Sequence, residues 1–319
     1  MTTLCFYHPD NEAHDPGKGH SERAARITAI VKALRALPDP TIVWKEPPLA
    51  DRAALLLAHT PAYIDFVFMS VPASGYCPIE INEVTSDDDA GEVTVLCPRS
   101  GDAILRSVGG ALQAVDEVVT GKADNAFCLT RPPGHHAMPD KAMGFCAVNN
   151  IALAARHAQK AHGLKRIAIV DFDVHHGNGT QAIFEKDTSV FFISLHQLPL
   201  WPESGHADEV GAGNILNIPF PPNTPREAWL TQWREKAMAR LETEDFDLLL
   251  VSAGFDAHKD DPKGSQNLET EDYATLMRDL LDMAKRKCQG RLIALLEGGY
   301  DVEASAASAA AVMGVLAGQ

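Results

Sequence analysis

The stretch Arg166-Ile167-Ala168-Ile169-Val170-Asp171-Phe172-Asp173-Val174-His175-His176-Gly177-Asn178-Gly179 changes character part-way along. The run up to Val170 is apolar, as expected for a parallel strand buried on both faces. Polar groups follow at once, so they emerge where the strand ends. Side chains two apart in extended chain point the same way, which aims Asp171, Asp173 and His175 at one point. Two carboxylates and an imidazole converging there suggest a metal site. One more ligand from elsewhere would complete a catalytic zinc centre with a position left for water.

Outward from this stretch, strands and helices alternate. Upstream lie a helix over 104–119, a strand over 126–129 and a helix over 150–162. Downstream the order is helix 180–185, strand 190–194, strand 215–218, helix 227–241, strand 248–252, helix 272–285, strand 292–296 and helix 304–316. Nearer the start, 4–7 and 41–44 are strand candidates, with short helices over 53–57 and 62–69. Ser21 offers an N-cap to a helix reaching about residue 37. The alternation predicts an α/β fold: one parallel sheet of about eight strands with helices on both faces. A single domain over 1–319 is expected, since no linker or repeat interrupts the pattern. Periodicity fails over 70–98, where Pro72, Gly75, Pro78 and the acidic triplet Asp87-Asp88-Asp89 mark a loop insertion, either a solvated loop or an active-site lid.

Apolar residues make up 45% of the 319, ample for a substantial core. A formal charge of −15 argues against nucleic acid as a partner, which calls for clustered Lys and Arg, and favours a cationic substrate. No apolar run reaches the roughly 18 residues needed to span a bilayer. The N-terminus lacks the basic and apolar regions of a signal peptide, so the expected location is the cytoplasm, away from membranes. Cys5, Cys77, Cys97, Cys128, Cys146 and Cys288 show no Cys-x-x-Cys pairing and read as reduced thiols.

Ligands of open parallel sheets bind beyond the carboxyl ends of the strands. Besides Asp171 to Gly179, three other loops there carry chemistry. Arg131-Pro132-Pro133-Gly134-His135-His136 places two histidines after a stiffened turn, an arrangement suited to proton transfer. Ala253-Gly254-Phe255-Asp256 adds a carboxylate. Glu297-Gly298-Gly299-Tyr300 puts a tyrosine on a flexible glycine hinge, placed to donate to an oxyanion. Singly, each has a plainer reading: a strand-terminal Asp caps helices, and Gly-Gly-Tyr is commonly a turn under a packed aromatic. Their joint occurrence at four strand ends shifts the balance. His59, His157, His162, His196, His206 and His258 lack such company and read as structural or solvated.

These segments, with His20-Ser21-Glu22-Arg23 and His59-Thr60-Pro61-Ala62-Tyr63, resemble the zinc-dependent histone deacetylase family over nearly the whole chain. That family includes bacterial deacetylase-like amidohydrolases and acetylpolyamine amidohydrolases. The resemblance implies an arginase/deacetylase fold and a metal, Zn2+ or Fe2+, held by Asp173, His175 and Asp256. It makes His136 the general base, His135 its partner oriented by Asp171, and Tyr300 the oxyanion donor. It also implies a narrow acyl-lysine tunnel walled by Gly144 and Phe145, with Trp201 facing them. Structural K+ would sit at Asp171, Asp173, His175, Ser194 and Leu195.

Two departures carry consequences. Asn178 stands where some members pair an aspartate with the base, which predicts a lower pKa for His136 and a neutral imidazole near pH 7. Lys263 stands seven residues beyond Asp256, where polyamine-selective members carry a glutamate. A cation there favours an acyl-lysine peptide or another small N-acyl amine over an acetylpolyamine, although the acidic 87–89 triplet would attract a polyamine from another side. Acetylpolyamine amidohydrolase is therefore the nearest alternative. A binuclear manganese ureohydrolase would need an aspartate where Gly177 stands, and a silent binding module would have lost a ligand, His136 or Tyr300. The oligomeric state stays open.

Overall fold

The computed structural model describes residues 2–80 and 93–319. The N-terminal elements are β1 (Thr3–Phe6), α1 (Pro9–Ala13), α2 (Ala25–Arg35), β2 (Ile42–Lys45), α3 (Arg52–Leu55) and α4 (Pro61–Met69). A small antiparallel hairpin follows, β3 (Cys77–Pro78) with β4 (Val95–Leu96). Then come α5 (Ser100–Val119), β5 (Asn125–Cys128), α6 (Asn150–His162), β6 (Ile167–Asp171), α7 (Asn178–Phe184), β7 (Val190–Gln197) and β8 (Ile215–Phe220). The last part holds α8 (Arg226–Gln232), a π-helical turn (Trp233–Met238), α9 (Ala239–Thr243), β9 (Leu248–Ala253), α10 (Thr270–Lys287), β10 (Leu292–Leu296) and α11 (Val302–Leu316).

Eight strands form one parallel sheet in the order β2-β1-β5-β10-β9-β6-β7-β8. Side-chain alternation explains why the central strands are apolar throughout. On β6, Ala168 and Val170 join one core cluster while Ile167 and Ile169 join the other. On β10 the split is Leu292, Ala294 and Leu296 against Ile293 and Leu295. Helices α2, α10 and α11 cover the first face, and α5 and α6 cover the second. Both faces are dry, so a two-residue period in hydrophobicity has nothing to express.

Local signals set the helix ends. Asn149 accepts from the Ala152 amide at the start of α6, and Gly163 closes it with φ 67. Glu269 and Asp272 form a capping box on α10.

The expected Ser21 cap is not made: α2 begins at Ala25, with Ala24 at its N-cap. The preceding residues instead seat Glu22, whose amide donates to His20 Nδ1 and whose carboxylate is buried against Arg131 and Arg26. The expected helix over 227–241 is interrupted by the π turn, through which Trp229 and Trp233 are both buried and Trp233 Nε1 reaches Asp279 Oδ2 at 2.9 Å. Within 70–98 the described part includes a paired hairpin, and Asp87 to Asp89 lie outside the described residues. No helix among the described residues is long and apolar enough to cross a membrane.

Candidate active site

The four motif-bearing strands are neighbours, β5-β10-β9-β6, in the middle of the sheet. Their ends are level: Asp171 pairs with Ser252 and Leu296 with Ala253. Loops remote in sequence therefore open onto one short edge.

Asp173, His175 and Asp256 converge there, their ligand atoms all within 4.8 Å of one another. His175 Nδ1 lies 3.0 Å from Asp173 Oδ1 and 3.1 Å from Asp256 Oδ2. The backbone fixes the remaining oxygens: Gly298 N–H donates to Asp173 Oδ2 at 2.8 Å, and Val174 N–H to Asp256 Oδ1 at 2.7 Å. A Cβ on Gly254 would stand 2.1 Å from Asp173 Oδ2, and one on Gly298 2.2 Å from Asp256 Oδ2. Gly298 thus serves close approach, not the flexible hinge expected of it.

Burial, reinforced by Asp173, raises the Asp256 carboxyl to about 7. Burial pulls His175 down, but its hydrogen bonds to Asp173 and Asp256 win and push it up to about 10. Like charges this close in a dry site favour a cation among them. Nitrogen and carboxylate donors in a set of three suit zinc or ferrous iron, so the residues fit the implied metal.

The paired histidines sit beside this set with ring centroids 3.9 Å apart, yet their surroundings differ. His135 Nδ1 meets Asp171 Oδ2 at 2.9 Å. Burial disfavours charge on His135, but the Asp171 and Asp173 carboxylates outweigh it and hold the ring well above its ordinary pKa. His136 Nδ1 meets Asn178 Oδ1 at 2.7 Å. Its pKa is driven well below the ordinary value, first by burial and then by the charges on His135 and His175. The hydrogen bond that His136 donates to Asn178 acts in the raising direction, so the low basicity expected from Asn178 has burial as its main cause.

A cleft leads to these groups between Phe145, Trp201, Leu200 and Tyr300, with Glu80, Pro262 and Lys263 also in its walls. Gly144 and Phe145 adopt φ of 53 and 68. A Cβ at Gly144 would come within 2.4 Å of His136 Cδ2 and 2.6 Å of Trp201 Cη2, so this wall lies directly on the base. Phe145 packs edge-on to His20 at 4.8 Å and to Tyr300 at 5.9 Å. Burial raises the Tyr300 phenol well above its usual pKa, which keeps the proton on it. The expected K+ positions are adjacent in the sheet, Ser194 pairing with Asp171, while the Leu195 side chain lies in the core and Ser194 Oγ meets His196 Nδ1 at 2.9 Å.

A histone deacetylase domain model matches residues 20–316. The chain belongs to the histone deacetylase family. It is 36% identical to a probable deacetylase of Archaeoglobus fulgidus, over 95% of this chain and 82% of that one. It is 38% identical to the histone deacetylase-like amidohydrolase of Pseudomonas aeruginosa, over 78% of this chain and 67% of that one. The crystal structure of the HDA15 HD domain superposes with a TM-score of 0.90 at 32% identity, covering 100% of this chain and 90% of that one. The share of a curated relative's own length that is spanned varies widely, from 20% to 93%. Membership makes this histone deacetylase relative an enzyme of the deacetylase and amidohydrolase class, on the arginase/deacetylase fold.

Sequence reasoning missed the buried groups that hold the deacetylase site in place. Glu22 accepts from Arg131 Nε at 2.7 Å and from Arg26 at 2.9 Å. Arg26 in turn donates to the carbonyls of Gly299 and Glu297, and its guanidinium lies over the Tyr300 ring at 4.8 Å. Glu297 accepts from the Gly134 and His135 amides and from Ser252 Oγ, and burial raises its carboxyl to about 7. Glu80 Oε2 accepts from Thr94 N–H and hydroxyl and from Gly144 N–H, tying the 70–98 segment to the cleft wall. Glu22 and Glu297 stood in quoted motifs; for Glu297 the detectable signal was a carboxylate between Leu296 and Gly298 at a strand end, and Glu22 had none.

Proposed function

We propose that this chain hydrolyses the acyl amide of an acylated lysine side chain or a similar linear N-acyl amine, with Zn2+ as the metal and Fe2+ as its substitute. The observation that carries the reading is the meeting of a neutral histidine, a protonated tyrosine and a three-ligand set at the base of one narrow aromatic cleft. Asp173, His175 and Asp256 hold the metal. When bound, it would polarise the acyl carbonyl and make water a better nucleophile at neutral pH.

The Asn178 amide oxygen can only accept, so His136 carries its proton on Nδ1 and turns a free Nε2 lone pair to the cleft. That nitrogen takes the proton from the attacking water and later delivers it to the departing amine. Such proton transfer contributes about 10²–10⁴-fold to a rate. His135, tied to Asp171, keeps a positive charge beside His136 and deters it from holding a proton in the resting state. Tyr300 donates its phenolic hydrogen to the developing oxyanion. Phe145, Gly144 and Trp201 enclose the alkyl chain of the substrate and exclude water. K+ at Asp171, Asp173, His175, Ser194 and Leu195 is a structural part of the proposal.

Lys263 in the cleft wall disfavours a second ammonium on the substrate, which is the reason for preferring acyl-lysine to acetylpolyamine. The test is a panel of acyl-lysine peptides and acetylputrescine, assayed on metal-reconstituted wild type and Lys263→Glu. The expected result is a wild-type preference for the peptide that narrows in the variant. An unchanged ratio removes Lys263 from specificity, and wild-type preference for acetylputrescine replaces the reading with acetylpolyamine hydrolysis.

A further inference from the structure

On the sheet face that they cover, α5 and α6 pack together, and Asp116 of α5 faces His157 and His162 of α6. Nε2 of His157 stands 2.7 Å from Asp116 Oδ1, and Nε2 of His162 stands 2.6 Å from the same oxygen. The two rings cross at 79° with centroids 5.9 Å apart, so their Nε2 atoms converge on one point instead of stacking. One ligand atom from each residue lies within 4.8 Å of the other two. The side chains are 49%, 20% and 17% exposed for Asp116, His157 and His162, so an ion can enter from solvent and keep water in its remaining positions.

We propose that Asp116, His157 and His162 form a second, outer site for a divalent transition-metal ion of the zinc, cobalt or nickel kind. Two imidazoles with a single carboxylate match those ions, whereas magnesium and calcium call for shells made of oxygen. Metal bonds of about 2.0–2.1 Å in a tetrahedral shell set donor separations of roughly 3.3 Å. The present contacts of 2.6 and 2.7 Å must therefore open by about 0.6–0.7 Å, which the half-exposed Asp116 permits.

Lys160 and Gln113 line the groove beside the site, and the lysine charge makes this a weaker site than the buried one. Protons and metal compete for the same Nε2 lone pairs, so acid releases the ion. A bound ion cross-links the helix that precedes β5 to the helix that precedes β6. Those two strands deliver His135, His136, Asp173 and His175 to the opposite business of the molecule. The inference does not depend on the proposed catalytic reading.

The experiment is a metal count by elemental analysis on the untagged full chain after dialysis against zinc or nickel. Wild type should bind two ions, Asp256→Ala one, the His157→Ala/His162→Ala double variant one with unchanged turnover, and the combined triple variant none. Asp116→Asn, which preserves side-chain shape, should lose the same ion as the histidine pair. Circular dichroism checks that each variant is folded. Nickel should also raise the thermal midpoint of Asp256→Ala but not of the triple variant. A single ion in wild type that the histidine double variant keeps, or two ions in that double variant, overturns the outer site. Loss of the ion from the inner site instead shows as an unchanged count in Asp256→Ala and leaves the outer site standing.

Discussion

The chain gathers carboxylates and imidazoles within 4.8 Å in two places, at Asp173–His175–Asp256 and at Asp116–His157–His162, and builds them in opposite ways. The inner set stands at strand ends, where backbone amides grip the carboxylates and glycines allow them to crowd together. Asp173 and Asp256 are 1% and 0% exposed, so their repulsion is barely screened. The outer set hangs from two helices beside solvent, where a half-exposed Asp116 can turn away. Crowding that cannot relax creates a standing demand for a cation, whereas crowding that can relax offers only an opportunity for one.

Asp256→Ala has the largest expected effect, because it dismantles the set that cannot relax. It removes a ligand and leaves the Val174 amide without its acceptor, so the inner metal and turnover should both be lost while the fold survives. Substantial hydrolysis by the metal-free variant would falsify the assignment. His136→Ala should retain the metal and lower kcat by about 10²–10⁴-fold. Tyr300→Phe should cost about 10²–10³-fold. Metal content measured beside kcat separates these from Asp256→Ala, and near-wild-type turnover in either reassigns its role.

These inner residues were legible in sequence because each follows a strand that is apolar on both faces, and such strands announce their own ends. Asp171 to Asn178 even carries the partners of both histidines, since Asp171 meets His135 and Asn178 meets His136. What supports them was not legible. Glu22 reaches Arg131 across 109 residues, and no local pattern encodes such a pairing. The helix starts at Ala25, four residues past the Ser21 at which an N-cap was expected, and Glu22 between them is committed to its buried arginines. Within 70–98, Glu80 could be placed in the cleft wall only by its contacts with Thr94 and Gly144. At the outer site His157 and His162 read as structural or solvated because the sequence shows them no company; five residues of helix do not return a side chain to the same face, and Asp116 brings them together from the neighbouring helix.

A pH profile sharpens the inner half of the comparison. His136 must be neutral to accept a proton, and its pKa is depressed, so falling pH leaves it competent through 6.5 and disables it only below. The acid limb of kcat/KM should therefore lie under pH 6.5. A limb at or above that value would show that burial and His135 do not control the base.

The smallest effect is expected at the outer cluster. In the metal-free chain Asp116→Asn weakens two hydrogen-bond contacts to a carboxylate that is 49% exposed, a change worth about 0–1 kcal/mol. For a domain of this size that is a fall of about 2–4 °C at most in the thermal midpoint. Added nickel should then separate the two proteins, raising the wild-type midpoint through ligand linkage and leaving Asp116→Asn where it was once the inner site is saturated in both. A large fall before any metal is added would mean that the two histidines and Asp116 already brace α5 against α6 by themselves. Opening those contacts by about 0.6–0.7 Å would then cost the ion that energy, so the same measurement that weighs the contact also says how much it weakens the outer site.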